Sequence, residues 1–560
     1  MTAPAGLTLT RPDAPEPAAT PLADALAGTW LLLRFMLRRD RVRLAVWAGS
    51  VVALWLYAAA AFTTIYADPA ERQARADLMS TPASILMTGP GYGLGDYTFG
   101  AMFANELVLW VIITLAVMSI LEVVRHTRAE EESSRSELVR AGVVGRHAPA
   151  LAAMALVVVV NVAVAVLSAL VLVGVGGLAV GDTVVMVGGV ALTVLVFAAV
   201  ATVTCQLTAH ARGASGSAVA VLALAALVRG AGDIQRQHGS TLSWFSPVAW
   251  TQQTRVFVDT RVWPLVLPVV AVVVLLAVAV VLAGHRDFGA GMFPDRRGRA
   301  DARPALRSPV ALAWRQQRTA LGWWTLGTVV MWLATGTYLK DIGPMLQDMA
   351  QNNPAIEQVF GGSGEKALTG AFVSVMLLYA ALVSVGYGVS AVLRARAEET
   401  AGRTEYVLAT PVARVRWLAA QLAVAGLGAA VLMLVGGLAM AAGAYSVGAK
   451  DPDLGTYALA AAVYLPAVAV VLGVAAALYA WLPRWATVSW AFLVLAFVVG
   501  MFGEAFKLPD VVQGVSPLWW VPRLPVDDFT WSPVLGLTVL AAVLFALAFA
   551  GFRRRDVPVV

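Results

Sequence analysis

RAEEESSRSELVRAGVVGR, residues 128–146, recurs without a gap as RAEETAGRTEYVLATPVAR at residues 396–414. Ten of the nineteen positions are identical, among them Arg128/Arg396, Glu130/Glu398, Glu131/Glu399, Arg135/Arg403, Glu137/Glu405 and Arg146/Arg414. Each copy is a short charged island between two long apolar runs. Charge is costly in hydrocarbon, so both islands belong in water against a membrane face. The chain therefore reads as two copies of one membrane module, each turning through the same polar elbow.

Composition agrees. The 560 residues are 59% hydrophobic and 13% charged, where a soluble domain carries about 25% charged residues. The single cysteine, Cys205, excludes an intrachain disulfide. The net charge of +6 reports membrane topology before it reports nucleic acid, and no nucleic-acid partner is expected. Only four basic residues besides histidine are lysines, at 340, 366, 450 and 507, and the rest are arginines. That bias, with heavy Ala, Val and Gly use, points to a GC-rich bacterium and hence to its plasma membrane.

A span needs about 20 apolar residues. By that rule spans are predicted near 44–65, 102–124, 148–175, 183–208, 215–230 and 263–284, and again near 320–338, 369–393, 415–442, 455–481, 485–503 and 534–552. The predicted fold is an all-α polytopic membrane protein of about twelve spans in two six-helix repeats. An even number of spans separates the copies, so the repeats run parallel. Residues 1–27, rich in Pro, Ala and Thr, are predicted to be a disordered cytoplasmic tail. Residues 28–284 form the first module, 285–308 a basic cytoplasmic linker, and 309–560 the second module. Trp30–Leu44 carries five arginines among apolar residues and is predicted to lie along the interface, with Leu312–Leu321 as its counterpart.

Arginine sets the orientation. Arg-rich segments precede the first span, fill both elbows, cross 285–318 and close the chain at Arg553–Arg555. All fall on one side, which the positive-inside rule makes the cytoplasm, with both termini. The four lysines then lie outside. Two outer segments, 246–263 and 516–533, carry Ser246-Pro247…Trp250 and Ser516-Pro517…Trp520, and are predicted to be short broken helices at the outer interface. In the second elbow, Thr410-Pro411 has the form of a helix start, with Thr as cap and Pro in the first turn. A connector does not need Glu-Glu, Arg and Glu at fixed offsets in both copies. Their repetition marks Glu130, Glu131, Arg135 and Glu137, and Glu398, Glu399, Arg403 and Glu405, as candidate docking surfaces.

An interfacial helix, six spans, a charged helix between spans two and three, and a broken helix before span six resemble the ABC-2 type exporter fold. The paired E-E-x-x-x-R-x-E elbows with "LATPVAR" at 408–414 are similar to those of the tetronasin-resistance permeases, described as exporters of polyketide antibiotics. The resemblance covers nearly the whole chain. It implies a permease that moves lipophilic compounds outward, with two copies of a separate ATPase seated on the elbows and holding ATP and Mg. It further implies that spans two, five, eight and eleven line the pathway, where Phe103, Trp110, Phe372, Tyr379, Tyr387, Trp490, Phe492 and Phe497 stand. The first elbow departs from the pattern: Ser134 replaces Gly402, and Gly142-Val143 replaces Thr410-Pro411.

Other chemistries are poorly supported. No G-x-x-x-x-G-K-[ST] occurs; GGSGEK at 361–366 is followed by alanine, so this chain is not expected to bind ATP. No H-E-x-x-H or cysteine cluster is present, and no catalytic or metal-binding residues are expected. GMFPDRRGR at 291–299 fits a loop signature of major facilitator carriers, but it sits between spans six and seven and has no second copy. Proton-driven carriers place titratable groups mid-membrane. Here Glu106 and Glu504 stand only near outer span ends. A proton-coupled twelve-span carrier is the alternative, and a membrane-embedded transferase the next.

Overall fold

In the computed structural model, the described residues are helical with no strand. These are residues 22–556 except 134–136, 138–140, 143, 237, 288, 294–299, 303, 341, 345–346, 348–364 and 503–508. Arg135, Glu504, Lys507, the Gly361–Gly364 stretch and most of the tail thus lie outside them. Contacts divide the chain into two compact units, Met1–Gly298 and Arg299–Val560.

The first unit opens with α1, Thr29–Ile65, of 37 residues. At 1.5 Å per residue it is about 55 Å long, against about 30 Å of hydrocarbon. The Arg-rich stretch expected as a separate interfacial helix is instead the first half of α1. No Pro or Gly breaks residues 29–48, so the helix continues. Next come α2 (Pro69–Met79), α3 (Pro82–Met87), α4 (Phe99–Glu106) and α5 (Val108–His126). Thr127 kinks the chain into the elbow helix α6, Arg128–Glu132, and its hydroxyl donates to the Val123 carbonyl (2.6 Å). The unit is completed by α7 (Ala148–Gly174), α8 (Val180–Leu207), α9 (Ala211–Gln235), α10 (Pro247–Gln252) and α11 (Val266–Gly284). Its core lies where α8 packs on α5, α7 and α11, and where α1 runs along α7. Within the stretch expected to be a disordered tail, the described residues are ordered. Leu22–Ala25 is one helical turn, and the carbonyls of Ala25 and Ala27 accept from His147 N–H (3.0 Å) and Gly145 N–H (2.9 Å).

The second unit runs through α12 (Pro309–Thr337), α13 (Glu365–Thr400), α14 (Arg403–Leu408), α15 (Arg414–Ser446), α16 (Leu454–Val463), α17 (Leu465–Trp481), α18 (Ser489–Phe502) and α19 (Trp531–Arg554). Here α12 lies on α15 as α1 lies on α7. The approach is close. A Cβ on Gly336 would stand 2.1 Å from the Met440 carbonyl oxygen, and one on Gly443 2.1 Å from that of Leu333. Small residues at such crossings let membrane helices pack on backbone.

Eleven helices among the described residues are long and apolar enough to cross a membrane. The expected span at 320–338 is not among them. It forms the second half of α12, where Gly322, Trp323, Trp324, Thr325, Gly327 and Thr328 dilute the aliphatic residues. Thr410-Pro411 does not start a helix either. The Thr410 hydroxyl donates back to the Val407 carbonyl (2.5 Å), closing α14, and α15 begins at Arg414. The two outer segments do contain short helices, Pro247–Gln252 and the 3-10 turn Pro517–Trp520. In each, the tryptophan indole donates to a carbonyl six residues back: Trp250 to Trp244 (2.7 Å) and Trp520 to Gly514 (2.9 Å).

Candidate functional site

The elbow begins as a few charged residues on a helix end, too short to hold itself. Tertiary ion pairs hold it. In the first unit, three consecutive glutamates reach three different elements. Glu130 accepts from Arg39 on α1 (2.7 Å). Glu131 accepts from Arg286, just beyond α11 (2.7 Å), and pairs with buried Arg128. Glu132 accepts from the Ala211 N–H at the start of α9 (2.9 Å), where a carboxylate meets the positive end of the helix. Arg286 also donates to Gln206 at the end of α8 (2.6 Å).

The second elbow repeats the first two ties. Glu398 accepts from Gln316 on α12 (3.2 Å) and from Arg403 (2.8 Å). Glu399 accepts from the Tyr479 hydroxyl (2.6 Å) and from Arg555, just beyond α19. Gln421 on α15 donates to Gln316 (3.1 Å). In both units, then, the first glutamate of the pair holds the unit's first long helix. The second holds an arginine after its last helix.

This arrangement sorts the predicted docking residues. Glu398 and Glu399 are buried, at 7% and 6% exposure, and face into their own unit. Glu130 and Glu131 are half-buried in the pairs just described. Glu137, Glu405 and neighbouring Tyr406 are exposed, and the Arg403 side chain is half exposed. The hydrogen bond to Glu398 raises the pKa of the Arg403 guanidinium. Arg135 is outside the described residues.

Within each unit the pathway aromatics divide between core and surface. Phe103 is fully buried against Trp55 (6.0 Å between centroids) and Phe62 (5.1 Å). Tyr387 is buried beneath Trp324 (6.1 Å) and α15, and Phe372, Tyr379 and Phe492 pack at the edge of the same core. Trp110, Trp490 and Phe497 are exposed.

One cluster escaped the sequence reading. Asp40 on α1 and Glu122 and His126 on α5 are all buried, with donor atoms within 4.8 Å of one another. His126 Nε2 stands 2.8 Å from Asp40 Oδ2 and 3.4 Å from Glu122 Oε2. Arg125 holds Asp40 (3.0 Å) and Arg43 lies against Glu122 (3.1 Å). The donor set is one a divalent cation accepts, but each carboxylate already has an arginine counter-charge. Buried Asp40, Glu122 and His126, with the partly exposed Arg43 and Arg125, therefore form an ionic network joining α1 to α5. The i, i+4 spacing of Glu122 and His126 was the available signal; the opposing Asp40 was not recognisable without the packing. At the other end of the unit, Glu106 is likewise buried, accepting from Arg75 (2.8 Å) and Tyr97 (3.2 Å).

Among known proteins, residues 306–553 match the family described as "Multidrug efflux system permease Rv1217c, C-terminal domain". Over 542 residues the chain is 37% identical to the multidrug efflux system permease protein Rv1217c of Mycobacterium tuberculosis (strain ATCC 25618 / H37Rv), covering 95% of this chain and 96% of that protein.

Proposed function

The chain belongs to the multidrug efflux system permease family, and from that premise we propose that it is the membrane subunit of an ATP-driven exporter of lipophilic compounds, polyketide antibiotics among them. Two copies of a separate ATPase, holding ATP and Mg, dock on the two elbows from the cytoplasm. The observation that carries this reading is the doubled clamp. Each elbow is bonded at once to the first long helix and to the arginine after the last helix of its unit. A push on the elbow therefore reaches both ends of the module through charged bonds rather than through a loose loop. Glu405, Tyr406 and Arg403, and Glu137 in the first unit, form the face offered to the ATPase. The glutamate pairs behind them transmit its motion. The absence of a phosphate-cradling loop in the sequence supports placing hydrolysis in the partner.

The test separates docking from transmission. Glu405→Arg with Tyr406→Ala should weaken ATPase association about tenfold or more, as loss of a charged interface contact does. Glu398→Ala with Glu399→Ala should leave association nearly intact but uncouple hydrolysis from resistance. Both are read as drug resistance, co-purification and substrate-stimulated ATPase activity at matched membrane abundance. If both variants behave as wild type, the elbows are ordinary connectors. The alternative, a proton-coupled carrier, draws on the buried Asp40, Glu122 and His126; transport driven by a proton gradient without nucleotide would establish it.

A further inference from the structure

Beside the first elbow lies a cavity of about 150 Å³, close to the volume that holds a benzene-sized group in an engineered core. Five parts of the unit converge on it: α1, the end of α5 with α6, the start of α7, the end of α8, and the chain beyond α11. Its lining is amphipathic. Leu32, Phe35 and Met36 of α1 with Pro149 and Ala150 give it apolar surface. Arg39, Arg146 and Arg286 with Glu130 and Glu131 give it charge.

The charges do not balance. Arg39 is matched by Glu130, and Arg286 shares Glu131 with buried Arg128. Arg146 has no carboxylate partner among the described residues; its guanidinium donates to the Ala283 backbone carbonyl and is exposed. The arginines of the lining therefore outnumber its glutamates by one. The apolar lip is open. Phe35, which lines the cavity, is 57% exposed. All of this lies at the Arg-rich end of the unit, the end that the positive-inside rule gives to the cytoplasmic leaflet.

We infer that this cavity is a binding site for an anionic amphiphile of that leaflet, its acidic head against Arg146 and its tail leaving over Phe35. A soluble anion has no use for the apolar lip, and a neutral lipid has none for the unmatched arginine. Basic pockets between helices on the cytoplasmic side are where acidic headgroups are held. The head would sit against the same pairs that pin the elbow, Arg39–Glu130 and Arg286–Glu131. Two sources share this chemistry: a resident acidic phospholipid, and an exported compound with a carboxylate or phosphate head.

The full chain, purified in detergent, is mixed with equimolar phosphatidylglycerol and phosphatidylcholine and read by native mass spectrometry. Wild type should retain phosphatidylglycerol in preference. Arg146→Gln should reduce that retention about tenfold, the loss expected of one charge-assisted hydrogen bond. Phe35→Ser, at an exposed position where the fold is not at risk, should reduce it as well. Arg414→Gln, the matching arginine of the second unit, should not. Displacement of the lipid by a long-chain fatty acid assigns the pocket to exported acids as well; retention against it assigns the pocket to phospholipid. Equal retention of the two lipids overturns the inference, as does wild-type binding by both Arg146→Gln and Phe35→Ser, or displacement by inorganic phosphate alone. No ATPase or transport step enters the measurement, so its failure is distinct from failure of the coupling reading.

Discussion

Glu399 and Arg555 show what a charged residue near a membrane face does when its partner is known. They are 156 residues apart in sequence, yet the carboxylate is 6% exposed and the guanidinium 15%. Removing one member of a buried pair leaves the other without solvent or partner. Arg555→Ala should therefore destabilise the chain by about 3 kcal/mol, tempered by the remaining Tyr479 bond. Arg555→Lys should recover part of it. The check is the melting transition of the purified protein in detergent. The glutamate pairs were legible in the sequence as important because they recur at fixed offsets. Their direction was not legible. Nothing in RAEE says that Glu130 meets Arg39 or that Glu131 meets Arg286, because both contacts depend on how long helices fold back beside each other. The Asp40, Glu122 and His126 network was hidden for the same reason. Each residue alone resembled a charge at a span end.

At the scale of helices, the spans were legible wherever aliphatic residues run unbroken. The sequence signal faded where tryptophan and glycine replace them, as in α12, and where a polar start is not punctuated, as in α1. The Thr410-Pro411 pair shows a local rule overridden by the chain around it. Thr410 closes the turn behind it, and the next helix starts only at Arg414, with Ala413 in the cap position. The crossing of α12 on α15 gives a prediction of opposite signs. In a helix interior, Gly→Ala is favourable by about 1 kcal/mol. A Cβ on Gly426 of α15 would meet nothing within 4 Å, so Gly426→Ala should raise thermal stability. On the same helix, Gly443 faces the Leu333 carbonyl at 2.1 Å, a backbone atom that cannot rotate away. Gly443→Ala should force the helices apart and cost about 1–3 kcal/mol as overpacking does. Melting curves of the two variants should move in opposite directions. A shared direction would mean that the crossing is slack.

At the scale of the whole chain, topology is the claim on which the docking face and the lipid pocket both depend. Inside each unit the charged groups gather in separate places. In the first, Arg39, Glu130, Arg146 and Arg286 gather at one end, while Arg75 and Glu106 meet away from them. In the second, Glu398, Glu399 and Arg555 cluster at the elbow, whereas Lys366 pairs with Asp451 (3.0 Å). Between Lys366 and the elbow runs α13, whose 36 residues span about 54 Å, enough to cross hydrocarbon of about 30 Å. If α13 crosses the membrane, its two ends face opposite solvents. With Cys205 replaced by alanine, single cysteines at Glu137 and Lys366 test the expected sidedness of the first elbow and of the Lys366 end of α13. Both side chains are exposed, so neither substitution removes a packed group, and the Lys366–Asp451 pair that one of them breaks is a surface pair worth less than about 1 kcal/mol. In intact cells an impermeant thiol reagent should label the cysteine at 366 and leave the one at 137 unlabelled until the membrane is opened. Labelling of both in intact cells would place the first elbow outside. An ATPase in the cytoplasm could then reach neither the docking face nor the clamps behind it.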